Sequence, residues 1–315
     1  TIYSLILKKQ ADRPPAAPST AVLQQSVKTL LRYRRSDAPL APRAIATTPR
    51  RHYRIEKLEF LSEPGIYLPA WVFVPEKRAE DRSALLYINE RGKEADALEF
   101  ELLEELAQKG NLVVAVDVRG IGETKPPHPD DAGCGLFGHV DDAETTMQYI
   151  AWEMNESLMG MRVQDVVRSV DYAVSRSDVD RAGVRVIGRG MGALWVLFAA
   201  ALDPRISRTV CEGCLLSYRT LASADRYLHG ASIFIPDVLK HFDLPQVAAA
   251  VAGRRLAILD PMDAMKSAVD LETARQAYEP AVQAYARAGA PGAFAVARRR
   301  NDITLAEDYL RLLRP

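Results

Sequence analysis

No stretch of the sequence approaches the roughly 20 consecutive apolar residues that a membrane-spanning helix requires, so nothing in it reads as a membrane span. Net charge is missing too. Its 41 lysines and arginines meet 41 aspartates and glutamates, and a neutral chain has no global field to draw it to nucleic acid or an anionic surface. Cysteine is scarce: Cys134, Cys211 and Cys214 are too few for a disulfide framework. Cys211 and Cys214 form a C-x-x-C, but zinc would need two further ligands at suitable spacing, and none are evident. Lying within an apolar run, the pair reads as two small buried hydrophobes. Histidine is confined to His52, His128, His139, His229 and His241. The chain begins at Thr1 rather than methionine. A removed secretion signal would leave no trace, so the compartment stays open, with a secreted or periplasmic location expected if such a signal existed.

What is present suffices for one large core. The chain has 315 residues and 48% hydrophobic content, which suits one catalytic-type domain with an N-terminal extension. The charge balance is uneven. From Thr1 to Lys57, 12 basic residues face Asp12, Asp37 and Glu56, a local excess of nine. A basic arm could grip an anionic polymer; the plainer expectation is that it lies across its own acidic domain. Residues 1–52 are taken as this Pro-rich arm. One helix is expected around Val22–Tyr33, with Val22, Leu23, Val27, Leu30 and Leu31 on one face. Residues 53–315 form the main domain.

From Tyr53 the pattern turns to strands. Arg54–Leu61 and Tyr67–Pro75, joined by Glu63-Pro64-Gly65, predict an antiparallel hairpin. Buried strands are expected at Ser83–Asn89, Asn111–Asp117, Val184–Ile187, Arg208–Cys211, Arg254–Leu259 and Ala293–Ala297. Helices are expected at Ala97–Lys109, Arg162–Arg176, Met191–Leu202, Leu271–Ala288 and Leu305–Leu313, with a long insertion at Lys125–Asn155. Strands alternating with helices imply right-handed crossovers and a mostly parallel sheet with helices on both faces. Chemistry in such folds sits at the carboxyl ends of the strands.

The most informative segment is Val184–Leu202. An apolar strand runs through Gly188-Arg189-Gly190-Met191-Gly192 directly into a helix, the context of the G-x-S-x-G nucleophile elbow. Glycines flank the central residue of such a turn because neighbouring chain passes too close for a side chain. The central position holds Gly190, which has no hydroxyl. A dinucleotide-binding loop is the rival reading, but its G-x-G-x-x-G spacing differs from glycines two apart.

Beyond the elbow, the hairpin, Ala84–Asn89, Asp117-Val118-Arg119-Gly120-Ile121-Gly122 and Gly160–Tyr172 resemble the acetyl xylan esterase-like branch of the α/β-hydrolases. So does Ala201-Leu202-Asp203-Pro204-Arg205-Ile206. The resemblance runs from Tyr53 to Leu313 and implies the α/β-hydrolase fold and ester cleavage. Chain order in that superfamily is nucleophile, acid, histidine. The acid is expected in Asp260-Pro261-Met262-Asp263, with spacing favouring Asp263 over Asp260; a helix cap is the alternative role for Asp263. The histidine should follow the last strand, where the sequence reads Arg298-Arg299-Arg300-Asn301-Asp302. Arginine stays protonated and cannot act as general base. Oxyanion donors would be the backbone N–H of Met191 and one from Glu90-Arg91-Gly92, with Arg91 the choice.

A displaced nucleophile would have to be Cys211 or Ser217, with His139 or His229 as base. His128, Asp130, Asp131, His139, Asp141 and Asp142 make a His/Asp-rich insertion without a zinc spacing, so it reads as solvated loop. No cofactor and no metal are expected. The expectation is an α/β-hydrolase-fold protein that has lost ester hydrolysis and serves in binding, assembly or support of another hydrolase domain. Its ligand would be a carbohydrate or a small ester or carboxylate. The alternative is an active carboxylic-ester hydrolase on acetylated carbohydrate that uses a displaced catalytic residue.

Overall fold

The computed structural model describes residues 19–96, 101–126, 143–180 and 183–314. His128, Asp130, Asp131, Cys134, His139, Asp141 and Asp142 lie outside them, so the His/Asp-rich segment and the base candidate His139 are not described further. The framework is a nine-stranded sheet. In chain order its strands are β1 (Arg43–Pro49), β2 (Tyr53–Glu63), β3 (Ile66–Pro75), β4 (Ala84–Asn89), β5 (Leu112–Val116), β6 (Val184–Arg189), β7 (Ile206–Glu212), β8 (Arg255–Leu259) and β9 (Phe294–Ala297). They lie in the order β1-β2-β3-β5-β4-β6-β7-β8-β9. Pairing from β1 through β3 to β5 is antiparallel, and from β5 to β9 it is parallel.

The parallel strands β4 and β5 are buried along their whole length. Strands covered by helices on both faces must be apolar throughout rather than alternating. Two hydrophobic clusters result. One gathers the arm helix α1 (Thr20–Leu30), the helix α4 (Leu158–Ser175) and the helix α5 (Met191–Leu202). The other holds the helix α2 (Leu102–Gln108) and the closing helix α10 (Leu305–Leu312). Between them in the chain come α3 (Ala143–Glu153), α6 (Tyr218–Ala222), α7 (Leu244–Ala249), α8 (Leu271–Ala277) and α9 (Glu279–Arg287). Among the described residues no helix is long and apolar enough to cross a membrane.

Three elements differ from the sequence expectation. The predicted hairpin is a three-stranded meander, because β1 from the arm pairs along β2. Six of its seven residues are exposed, so an edge strand of this kind carries no apolar alternation to detect. In α1, Leu23 and Val27 are buried, as is Leu31 just past its end, and Leu30 packs partly buried against the core, while Val22 is 56% exposed. The long helix predicted over Leu271–Ala288 is two helices, broken at Tyr278 with Pro280 in the first turn of the second. Proline lacks an N–H, fits a first turn and breaks a helix interior.

The described part of the arm, from Ser19 onward, lies on the domain. Arg34 pairs with Glu156 at 2.9 Å, Arg35 with Asp171 at 2.9 Å, and Arg32 donates to Asn155. These contacts neutralise part of the local positive excess within the chain itself.

Candidate active site

The carboxyl ends of five strands end in one row. Asn89 of β4 pairs with Arg189 of β6, Arg189 with Glu212 of β7, Glu212 with Leu259 of β8, and Leu259 with Ala297 of β9. The residues just past that row, Glu90, Gly190, Gly213 and Asp260, line a cleft of ≈ 370 Å³, with Arg299 beyond β9. Neighbouring strands here leave β4 for opposite sides, toward β5 and toward β6. Open parallel sheets place ligands at such a switch point, where loops diverge and leave a crevice.

At its floor, β6 turns into α5 through Gly190, which has φ 61° and ψ −127°. This backbone region belongs to glycine unless the surroundings force another residue into it. The flanking glycines answer to close packing. A Cβ on Gly188 would stand 2.6 Å from the Ala193 Cα, and one on Gly192 would stand 2.6 Å from the Ile88 carbonyl oxygen. The strand thus passes under the first turn of the helix at backbone distance.

A glutamate fills the space above Gly190. The Met191 N–H donates to Glu90 Oε2 at 3.0 Å, and a Cβ on residue 190 would lie 2.5 Å from Glu90 Oε1. Lys266 approaches the same carboxylate at 3.9 Å. Glu90 enters from the loop after β4, and the Asp-x-Arg-Gly-x-Gly segment fixes that loop. Asp117 accepts from the Lys93 N–H at 2.7 Å, from the Lys93 ammonium at 2.6 Å and from the Glu123 N–H at 2.9 Å. Lys93 is 1% exposed, and a buried ammonium persists only when paired in this way. Gly122 must be glycine, since a Cβ there would meet the Asp117 carboxylate at 2.5 Å. Arg119 braces the other side, donating from Nε and Nη2 to the buried Asp165, which also accepts from Ser62 at 2.6 Å.

Of the expected oxyanion donors, Met191 N–H points to the site and is engaged by Glu90. The Arg91 N–H donates to Asn89 Oδ1 at 2.9 Å, closing the turn in which it sits. Asp260 lines the cleft; Asp263 is not among its lining residues. The Asp263 carboxylate accepts from the Met265 and Ser267 N–H groups at 2.8 and 2.9 Å, closing a turn; no helix follows it directly for the cap that was its alternative role. Asp260, at φ 46°, pairs with Arg298 at 3.3 Å and accepts from the Arg299 N–H at 3.3 Å. It therefore faces the loop after β9, where a histidine partner would have to stand.

His229 does reach the cleft wall. Because a carbonyl can only accept, its Nε2–H donates to the Asp263 carbonyl oxygen at 2.7 Å. Burial holds its pKa below the ordinary imidazole value, with the Asp263 hydrogen bond opposing. The displaced-nucleophile candidates are engaged elsewhere. Cys211 is fully buried in β7 and its thiol pKa is raised by that burial. Ser217 caps α6, accepting from the Thr220 N–H at 3.0 Å. Among the described residues lining the cleft there is no Ser, Thr or Cys.

Sequence reasoning treated Glu90 only as a source of backbone N–H, and it passed over Arg189, Glu212 and Lys266. Arg189 bonds Asp96 and lies 3.3 Å from Glu212, which in turn accepts from the Tyr309 hydroxyl. Burial raises the Glu212 pKa and Arg189 opposes the rise. Among the described residues no cluster of three His, Cys, Asp or Glu could hold a metal.

Residues 18–286 match the Abhydrolase family. This chain belongs to that family. The Abhydrolase fold is equally clear in three dimensions. A candidate acetyl xylan esterase from Bacteroides fragilis superposes with a TM-score of 0.75 at 18% identity, covering 98% of this chain and 84% of the other. An acetyl xylan esterase from Paenibacillus sp. R4 gives 0.56 at 18% identity over 93% and 92% of the two chains. A glucuronoyl esterase from Solibacter usitatus gives 0.60 at 13% identity over 92% and 91%. In sequence, the candidate hydrolase YtaP of Bacillus subtilis is 26% identical over 199 residues, 59% of this chain and 62% of that protein. The chain thus matches less than two thirds of the length of that relative.

Proposed function

We propose that this Abhydrolase-family chain is a non-catalytic member, a binding or accessory domain whose cleft takes a small ester- or carboxylate-bearing ligand, with carbohydrate as the expected carrier. The observation that carries this reading is the cleft floor. Gly190 stands at the tip of the strand–helix bend, where an attacking oxygen would be presented, and a carboxylate instead of a hydroxyl occupies the space above it. Asp260 lines the cleft, while the Asp263 carboxylate closes a turn. Arg299, which lines the cleft beyond β9, stays protonated and cannot accept a proton. The likeness to acetyl xylan and glucuronoyl esterases supports carbohydrate esters as the ancestral ligand class.

A second reading keeps ester hydrolysis with a displaced catalytic group. It is favoured by His229, an imidazole held toward its neutral form on the cleft wall. Its weakness is the nucleophile, since Cys211 and Ser217 are both packed away. One experiment separates the two. The protein is incubated with p-nitrophenyl acetate and, in parallel, with a fluorophosphonate probe. The expected result is no saturable turnover and no covalent adduct; turnover together with an adduct on a serine would overturn the non-catalytic reading.

A further inference from the structure

We propose that the cleft is a receptor for a small carboxylate and that Glu90 is its built-in occupant, seated in the site until a free carboxylate displaces it. The inference deepens the non-catalytic reading and rests on it. The Glu90 side chain is not bound by packing alone. One oxygen takes the Met191 N–H at 3.0 Å and lies 3.9 Å from the Lys266 ammonium, while the chain beneath it is bare because residue 190 has no Cβ. A backbone N–H at the start of the 12-residue helix α5 and a nearby ammonium are the donors a carboxylate ligand would use. The side chain of Glu90 remains 26% exposed, so it can swing out without crossing packed core. Arg91, Arg189 and Arg299 also line the cleft. The other acids lining the cleft are already paired, Asp260 with Arg298 and Glu212 with Arg189. Once Glu90 leaves, Lys266 and the Met191 N–H are uncovered together, and an acetate or a hexuronate carboxylate would restore both contacts.

An internal occupant lowers the apparent affinity by the fraction of time the site is open. The test is a titration of wild type, Glu90→Ala and Lys266→Met with acetate, with a hexuronate and with neutral acetamide. It is followed by the ε-methyl NMR signals of Met191 and Met262, which both line the cleft. Acetate should bind Glu90→Ala on the order of tenfold more tightly than wild type, given a site open for about a tenth of the time or less. Lys266→Met should weaken carboxylate binding, and acetamide should leave the methyl signals in place. A stronger response to the hexuronate than to acetate would identify a sugar acid as the ligand class. Unchanged acetate affinity in Glu90→Ala, or an equal response to acetamide, would overturn the proposal. p-Nitrophenyl acetate turnover measured in the same samples tests the non-catalytic reading separately, since hydrolysis there would remove that reading whatever the binding result.

Discussion

Gly190→Ser places a hydroxyl at the bend where the non-catalytic reading proposes one is missing, and its outcome can be worked out from the geometry. Serine would have to adopt φ 61° and ψ −127°, a strained region that costs a non-glycine residue about 1–3 kcal/mol. Its Cβ would lie 2.5 Å from Glu90 Oε1, so Glu90 must move and give up the Met191 N–H. A hydrogen bond to a charged group contributes about 1.5–3 kcal/mol, discounted here because Glu90 regains water from a partly exposed position. The net loss should be about 2–4 kcal/mol, a fall in Tm of roughly 4–8 °C by differential scanning calorimetry. Turnover of p-nitrophenyl acetate should stay at background. Triad members act as a unit, so supplying one without the others returns almost nothing of the roughly 10⁶-fold that the whole set provides in a serine protease. Brisk saturable hydrolysis by Gly190→Ser would refute this reasoning and would make His229 a working base.

Three further outcomes follow from particular contacts. Gly192→Ala should destabilise by about 1–3 kcal/mol or more in urea unfolding, because its Cβ would meet the Ile88 carbonyl at 2.6 Å and backbone cannot turn aside. Cys211 and Cys214 should react with a thiol reagent only after unfolding, since both are buried and burial raises their pKa values, that of Cys214 to about 12; fast labelling of either in the native protein would contradict the packing. For His229, burial holds the folded pKa below the unfolded value near about 6.5. The unfolded chain therefore binds more protons between those two values, so stability rises with pH there. The contribution is complete above the unfolded value and disappears as pH falls through the folded one. The fall of Tm on going from pH 7 to pH 5 should be shallower in His229→Gln than in wild type.

Local chemistry made much of this protein readable in one dimension. Runs such as Ala84–Asn89 and Leu112–Val116 declare strands buried on both faces, because a core that excludes water accepts only apolar side chains there. The alternation of such strands with helices implied a mostly parallel sheet covered on both faces, and the resemblance carried by the motifs implied the α/β-hydrolase fold. Glycines two apart at the end of β6 declare a bend in which chain passes chain, and the sharpness of that bend is a local property. The break at Pro280 was equally local, yet the helical periodicity on either side concealed it. The exposed edge strand β1 had no apolar pattern to betray it.

What one dimension could not supply is which side chains meet. Asp260 and Asp263 are three residues apart with similar surroundings in sequence, and only the end of β8 decides that the first faces the cleft and the second closes a turn. His229 lies 39 residues beyond Gly190 in the chain yet shares the cleft with it. Glu90 and Gly190 are separated by a hundred residues and become neighbours because β4 and β6 pair in one register. Contacts of that kind depend on how strands align in the sheet, a collective property of the packed core, and so the carboxylate resting on the Met191 N–H emerged only once the chain was folded.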